Sequence, residues 1–313
     1  LVTGATGFVG MWVARALLEG GDEVRVLARP GSNRRNLAGL GAAVVEGDLL
    51  DAASLAPALE GCDELYHVAA YYSTKEADAP LMYQINVAGT KALLTAARRA
   101  GVRRVVYTST VGTIGVARGG TLPDEETEFN LWECSSHYAR SKYLAETMVQ
   151  AMADGGLPVV IVNPCAPVGA GDVKPSSTGQ RIVDYLSGRS PSFLAGGINF
   201  VPVRDVAAGH VLAARRGQPG RRYLLGCLQG NLGRADFCRL MQRASGARAP
   251  RERGRNPLRW LRSHRPAAPR GAQPAALVCR PARAVEELGM PQTPLEDAFV
   301  EAVAWFRQNN YVH

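Results

Sequence analysis

The sequence predicts an α/β fold: a Rossmann-type doubly wound parallel sheet with a smaller C-terminal substrate-binding lobe. Three observations predict it. Over residues 1–165, short β-branched or apolar runs alternate with longer stretches of helical periodicity, the signature of βαβ units. A glycine triplet, Gly4-Ala5-Thr6-Gly7-Phe8-Val9-Gly10, falls between the first such run and the first helical stretch. Beyond Pro164 the alternation loosens into Gly/Pro-rich connections. With 313 residues and 46% hydrophobic content, the chain has the material for a large core.

The strands are expected at Leu1–Thr3, Glu23–Ala28, Ala43–Glu46, Glu64–Val68, Arg103–Thr108 and Pro158–Val162. Between them, Phe8–Glu19, Ser54–Leu59, Leu81–Ala100 and Ser136–Ala153 read as helices, the last two from apolar residues recurring at three- and four-residue steps. Residues 1–165 are thus expected to form the dinucleotide-binding domain, with part of the later chain returning to it. Residues 166–313 are assigned to the smaller lobe, with helices near Gln180–Leu186 and Val203–Ala214 and a short strand at Arg222–Leu225. The Arg/Pro-rich segment 247–275 has few large apolar residues and reads as a mobile loop or linker. Leu295–Phe306 regains helical spacing and stops near Asn309 and Asn310.

The net charge of +8 raises the question of nucleic acid. Between Arg243 and Arg283 there are 11 Arg against one acid, a local +10, which leaves the rest of the chain at 8 − 10 = −2. Few aromatics beyond Trp260 accompany those arginines, so a solvated loop is expected and no nucleic-acid partner. No basic-then-apolar leader and no run of about 18 apolar residues is present, so no membrane span is expected and the chain reads as cytoplasmic. It opens at Leu1, inside its first strand, which leaves room for a short leader ahead of it. The six cysteines are widely spaced, without a C-x-x-C pair, and read as reduced structural thiols; no metal site is expected.

A turn between strand and helix, with glycine where the backbone must come close, suits a dinucleotide pyrophosphate at a helix N-terminus. Gly4 permits the turn, Gly7 admits the phosphates and Gly10 lets the helix lie tightly on the sheet. Thr6, Phe8 and Val9, between the glycines, belong to the same expected cofactor wall. At the end of the second strand an NAD site usually presents an acid to the ribose, whereas this chain has Arg29, with Ser32 close behind. A guanidinium there pairs with a 2′-phosphate, so NADP(H) is favoured, with NAD(H) the alternative and a solvated loop residue the plainer reading of Arg29. Asp48, with Leu49 beside it, follows the third strand and suits the adenine amino group, or else caps the next helix.

Tyr138-Ala139-Arg140-Ser141-Lys142 opens a helix, which puts Tyr138 and Lys142 one turn apart on one face. Tyrosine is a poor base at neutral pH, and a nearby ammonium is expected to favour its phenolate. Lys142 also suits the nicotinamide ribose. Upstream, Tyr107-Thr108-Ser109-Thr110 ends a strand with hydroxyls able to orient a carbonyl. A second Tyr-x-x-x-Lys, Tyr71 to Lys75, lacks such a strand ahead of it, so Tyr71 and Tyr72 read as pocket-wall or packing residues.

With these motifs in order, the sequence resembles the extended short-chain dehydrogenase/reductases, the epimerase/dehydratase superfamily, over Leu1–Ala214 and the C-terminal helix. LVTGATGFVG, YHVAA, INVAGT, RVVYTSTVGTIG and PVRDVAAGHVLA are similar to bacterial dihydroflavonol-reductase-like proteins, including the hopanoid-associated sugar epimerase group. The resemblance implies that Val68, Ala69 and Ala70 line the nicotinamide side, that Asn86 shapes the active-site helix or is a buried structural amide, and that Thr110, or failing it Ser109, is the catalytic hydroxyl. It further implies that Pro164 follows the sixth strand and starts a cofactor-contacting loop, that Asp205 anchors a second-lobe helix, and that the chain can form a homodimer.

The function expected is hydride transfer at a ketone, aldehyde or secondary alcohol, with Tyr138 exchanging the proton. Sugar-nucleotide epimerisation with retained NAD is the alternative within the resemblance, and Arg29 argues against it. A non-catalytic cofactor-binding protein is the third reading.

Overall fold

The computed structural model describes residues 1–250 and 276–312. Its strands are β1 (Val2–Thr3), β2 (Arg25–Ala28), β3 (Ala43–Glu46), β4 (Glu64–His67), β5 (Arg104–Thr108), β6 (Val159–Pro164), β7 (Ala166–Val168), β8 (Ile198–Pro202), β9 (Arg222–Leu225) and β10 (Asn231–Leu232). Seven of them form one parallel sheet in the order β3-β2-β1-β4-β5-β6-β9. The chain winds outward one way from β1 and the other way from β4. The crevice at their carboxyl ends is therefore the switch point where such sheets take ligands.

The strands are apolar because both faces are covered. Every residue of β6 is buried, and successive residues serve opposite cores. Val106, Val160 and Val162 pack with α1 (Phe8–Glu19) and α7 (Val203–Arg216). Val105, Tyr107, Val159 and Ile161 pack on the other face with α2 (Ala52–Leu59), α4 (Thr90–Arg99) and α5 (His137–Asp154).

The helix expected as Leu81–Ala100 is interrupted: α3 (Ala79–Tyr83) passes through a π-helical turn, Gln84–Gly89, into α4. Two contacts hold that wider turn. Asn86 is tied sideways to neighbouring backbone, and Gly89 lies so close to Leu49 that a Cβ would sit 2.9 Å from the leucine Cβ.

A three-stranded sheet, β10-β8-β7, carries the remaining core with α6 (Ser177–Leu186), α8 (Arg234–Ser245) and α9 (Leu295–Gln308). Phe200, Phe237, Phe299 and Phe306 form its centre. The strand Arg222–Leu225, assigned by sequence to the smaller lobe, instead closes the large sheet as β9, where Tyr223, Leu224 and Leu225 are buried. Helix α8 and strands β7, β8 and β10 were not expected. Asp205, in the first turn of α7, accepts from the backbone N–H (2.8 Å) and hydroxyl (2.7 Å) of Thr293, and so fixes the entry to α9. Within 247–275, residues 251–275 lie outside the described residues, while the Ala247 carbonyl accepts from the Tyr185 hydroxyl at 3.1 Å. Among the described residues, no helix is long and apolar enough to cross a membrane.

Candidate active site

The glycine turn is built by close approach. Gly4 has φ +77°, and a Cβ there would lie 2.7 Å from the Ala69 amide nitrogen. A Cβ on Gly10 would meet the Gly4 carbonyl oxygen at 2.3 Å. Gly7 is the N-cap of α1 and donates its N–H to that same carbonyl at 2.9 Å. No side chain caps α1, and its first turn, Phe8 to Gly10, lines the crevice.

The turn forms one wall of a cleft of about 390 Å³. Of the expected cofactor residues, Gly4, Thr6, Gly7, Phe8, Val9, Gly10, Arg29, Ser32, Asp48, Leu49, Val68, Ala69 and Ala70 all line it, and so does Tyr138. Arg29 is exposed at the end of β2, and among the described residues nothing pairs with its guanidinium. Ser32 spends its hydroxyl on the Arg29 carbonyl at 2.7 Å. Arg34, by contrast, is taken by Glu46. Asp48 accepts from the Leu50 N–H at 2.9 Å, and the helix cap that it was the alternative candidate for is Asp51, which accepts from Ala53.

Pro164 is the last residue of β6 and not the first beyond it, buried opposite Leu225. The ladder runs through it because the following Cys165 N–H still bonds to the Leu225 carbonyl at 3.0 Å.

Ser136 caps α5, accepting from the Ala139 N–H, and so sets Tyr138 and Lys142 in the first turns of the helix. Lys142 is buried; its ammonium donates to the Thr108 carbonyl at 2.7 Å and lies 4.4 Å from the centre of the Tyr107 ring. Burial pulls its pKa down to about 7, against a smaller opposing pull from Glu146. Tyr138 is pushed up to about 12, first by burial and then by Tyr72, whose ring stands edge-on at 5.0 Å. Lys142 is not among the influences on Tyr138, its ammonium being directed to the Thr108 carbonyl.

Of the two candidate hydroxyls, Ser109 is buried and faces Thr113 at 3.4 Å. Thr110 is half-buried and accepts from the Gly112 N–H at 3.2 Å, with its methyl near the backbone that faces Ala139. Thr110 is the less buried of the two, and neither is among the residues that line the cleft. Asn86 is buried, accepts from the Tyr71 N–H (2.7 Å), and donates to the Tyr71 carbonyl (3.0 Å) and the Ser141 hydroxyl (2.9 Å). It is a brace between the post-β4 loop and α5, with both amide N–H donors taken.

Two histidines give no signal in the sequence and emerge only from the fold. The Thr90 hydroxyl donates to the Asn86 carbonyl at 2.7 Å, so it accepts from His67 Nε2 at 2.8 Å, and His67 Nδ1 accepts from Thr3 at 2.8 Å. Thr3 in turn accepts from the Ala69 N–H at 3.2 Å, which completes a polar chain under the cleft floor. His210 Nδ1 donates to the Val206 carbonyl at 2.7 Å, and its Nε2 accepts from the Thr108 hydroxyl at 2.9 Å.

Burial holds His67 down to about 3 and His210 to about 4, so both are neutral in the folded protein. A histidine whose folded pKa is depressed gives full stability above its unfolded value, about 6.5, and loses it as pH falls toward the folded value. Asp172, raised by burial to about 6, works the opposite way and gains stability as pH falls through 6. A variant isolates the effect. In urea unfolding, the stability advantage of wild type over His210→Gln is expected to shrink by about 2 kcal/mol between pH 7 and pH 5. An advantage independent of pH would show that His210 is not neutral when folded.

Residues 1–226 match the model of the NAD-dependent epimerase/dehydratase family. The chain belongs to that family. A dihydroflavonol 4-reductase-like protein of Synechocystis sp. is 38% identical, with 99% of this chain and 95% of that one covered. Sterol demethylase protein B of Methylococcus capsulatus is 37% identical, covering 100% and 99%. Among solved structures, the dTDP-glucose 4,6-dehydratase DesIV of Streptomyces venezuelae, with NAD bound, is 29% identical at a TM-score of 0.81, covering 99% and 97%. Membership of the epimerase/dehydratase family makes the chain an oxidoreductase-fold enzyme for a nicotinamide cofactor. The donor set fits one: glycine positions that a Cβ would fill, an uncapped helix N-terminus, and a polar wall at the ribose end.

Proposed function

We propose that the chain is a reductase of ketones or aldehydes that uses NADP(H), run in reverse as a secondary-alcohol dehydrogenase. The observation that carries this is Tyr138 standing in the wall of the same cleft as the glycine turn, with Lys142 one turn further along α5. Gly4, Gly7 and Gly10 with the α1 N-terminus suit the pyrophosphate, Arg29 the 2′-phosphate, Asp48 the adenine, and Val68, Ala69 and Ala70 the nicotinamide side. When bound there, the cofactor supplies or accepts the hydride. Tyr138 gives its proton to the carbonyl oxygen, Thr110 polarises that oxygen by a hydrogen bond, and Lys142 holds ribose and restores the proton balance beside Tyr138. Asn86 and His67 position the loop and the π-helical turn on which these groups depend.

The unpaired guanidinium of Arg29 is the reason for NADP(H) over NAD(H). Fluorescence titration tests it. NADPH is expected to bind at least about tenfold more tightly than NADH, and Arg29→Asp is expected to reverse that order through loss of a charge-assisted pair. Preference for NADH in the wild type, or copurified NAD, would favour the epimerase reading that the family also contains.

A further inference from the structure

Arg181 stands on α6 one turn beyond Ser177, near the cleft-lining Tyr72. Its Nη1 donates to the Ser177 carbonyl at 2.7 Å and its Nε to the Ser192 carbonyl at 2.9 Å, and the guanidinium lies 5.8 Å from the centre of the Phe193 ring. These contacts fix the fork but do not neutralise it. Some surface arginines here have carboxylates, as Arg189 has Asp184, Arg204 has Glu301 and Arg243 has Glu296, while among the described residues Arg98, Arg140 and Arg307, like Arg181, hydrogen-bond to backbone carbonyls alone; what sets Arg181 apart is its place beside Tyr72. Asp184, the acid on the same helix, is occupied by Arg189 and Gln180. Among the described residues Arg181 has no acidic partner and its Nη2 has no acceptor. The nearest titratable influence on it is Tyr72, and burial draws its pKa downward, as it does for a cation short of compensating charge.

Its position connects it to the chemistry. Ser177 and Arg181 are one turn apart on α6, and the Ser177 hydroxyl shares a hydrogen bond of 2.9 Å with the Tyr72 hydroxyl. Tyr72 lines the cleft and packs edge-on against Tyr138. A continuous polar wall therefore runs from the proton donor, through two exchangeable hydroxyls, to an uncompensated guanidinium.

We infer that Arg181, with Ser177 and Tyr72, is a subsite for an oxyanion on the substrate, a carboxylate or a phosphate held away from the reacting carbonyl. A planar fork already fixed on two carbonyls loses little freedom on taking a bidentate oxyanion, and the two hydroxyls complete the donor set. The inference rests on the oxidoreductase reading for the reacting end of the substrate and adds the chemistry of its other end.

Calorimetry on the full chain, with and without NADP⁺, tests it using three probes: 4-oxo-4-phenylbutanoate, its methyl ester, and 2-oxo-2-phenylethyl phosphate. The wild type is expected to bind at least one charged probe about tenfold or more tightly than the ester, and the better of the two names the oxyanion. Arg181→Gln should erase that preference, and Arg181→Lys should keep part of it. Affinities that do not distinguish charged from neutral probes in the wild type, very weak ones included, overturn the inference. So does a preference that survives Arg181→Gln, or a loss of affinity equal for all three probes, which would make Arg181 a brace for the segment at Ser192. Failure of the wild type to bind NADP⁺ or NADPH would sink the oxidoreductase reading separately, because the cofactor-free titrations still decide the role of Arg181.

Discussion

Tyr138→Phe is expected to lower kcat for carbonyl reduction by about 10³-fold, within the range that positioned proton donors supply. The ring of Tyr138 packs edge-on against Tyr72, and phenylalanine keeps that contact. Among the described residues no group bonds to the Tyr138 hydroxyl, so its removal leaves no buried partner stranded and the thermal midpoint should hardly move. NADPH affinity should stay within about twofold by the same reasoning. Steady-state kinetics, fluorescence titration and a thermal melt read these three quantities independently. Loss confined to kcat assigns the proton to Tyr138. Full activity in the variant would end that assignment and turn attention to Thr110, the hydroxyl proposed to polarise the carbonyl.

The parts of this site legible in the sequence are those where one residue type answers one local demand. Glycines at 4 and 10 are required by backbone in close approach, Gly7 leaves room in front of the helix N-terminus, and the triplet announces this wherever it follows a strand. Tyr138 and Lys142 are visible because helical spacing fixes their relation before anything else is known. Their electrostatics were not visible. Which carbonyl receives the Lys142 ammonium depends on Thr108 arriving from a strand 34 residues away, and the upward push on Tyr138 on how deeply the fold buries it. His67 and His210 are silent for the same reason, their partners being brought together by the sheet and by α7. The π-helical turn is hidden in the sequence because apolar residues at three- and four-residue steps run through Gln84–Gly89, and the side-chain ties that widen it are long-range. Beyond Pro164 the elements are short and shared between two sheets, so β9 was placed with the wrong neighbours. Arg181 illustrates the limit most directly: in sequence it is one arginine among 32, and only the fold brings its helix to Tyr72 through the Ser177 hydroxyl.

The glycine turn yields the second large effect, and a pair of variants separates its two causes. In Gly10→Ala the new Cβ would meet the Gly4 carbonyl oxygen at 2.3 Å and carbon at 2.5 Å, both backbone atoms of a turn that is itself pinned against Ala69. Neither side can yield without lifting α1 from the sheet, so the variant is expected to lose about 3 kcal/mol of stability, with a thermal midpoint lower by on the order of 10 °C. NADPH affinity should fall by about 100-fold or more, because the N–H groups of the first helical turn move with the helix. Gly7→Ala differs in kind. Its Cβ would come no closer than 3.2 Å to the Gly4 carbonyl oxygen, and Gly7 has an extended backbone open to any residue, so the folded protein should accommodate it at a cost below about 1 kcal/mol. If phosphates approach the turn at Gly7, that Cβ obstructs them, and NADPH affinity falls by about tenfold or more while the melt stays near wild type. A Gly7→Ala protein that binds NADPH normally would mean that the pyrophosphate lies elsewhere along the cleft. A Gly10→Ala protein that melts like wild type would mean that α1 does not rest on the Gly4 carbonyl as closely as the turn geometry requires.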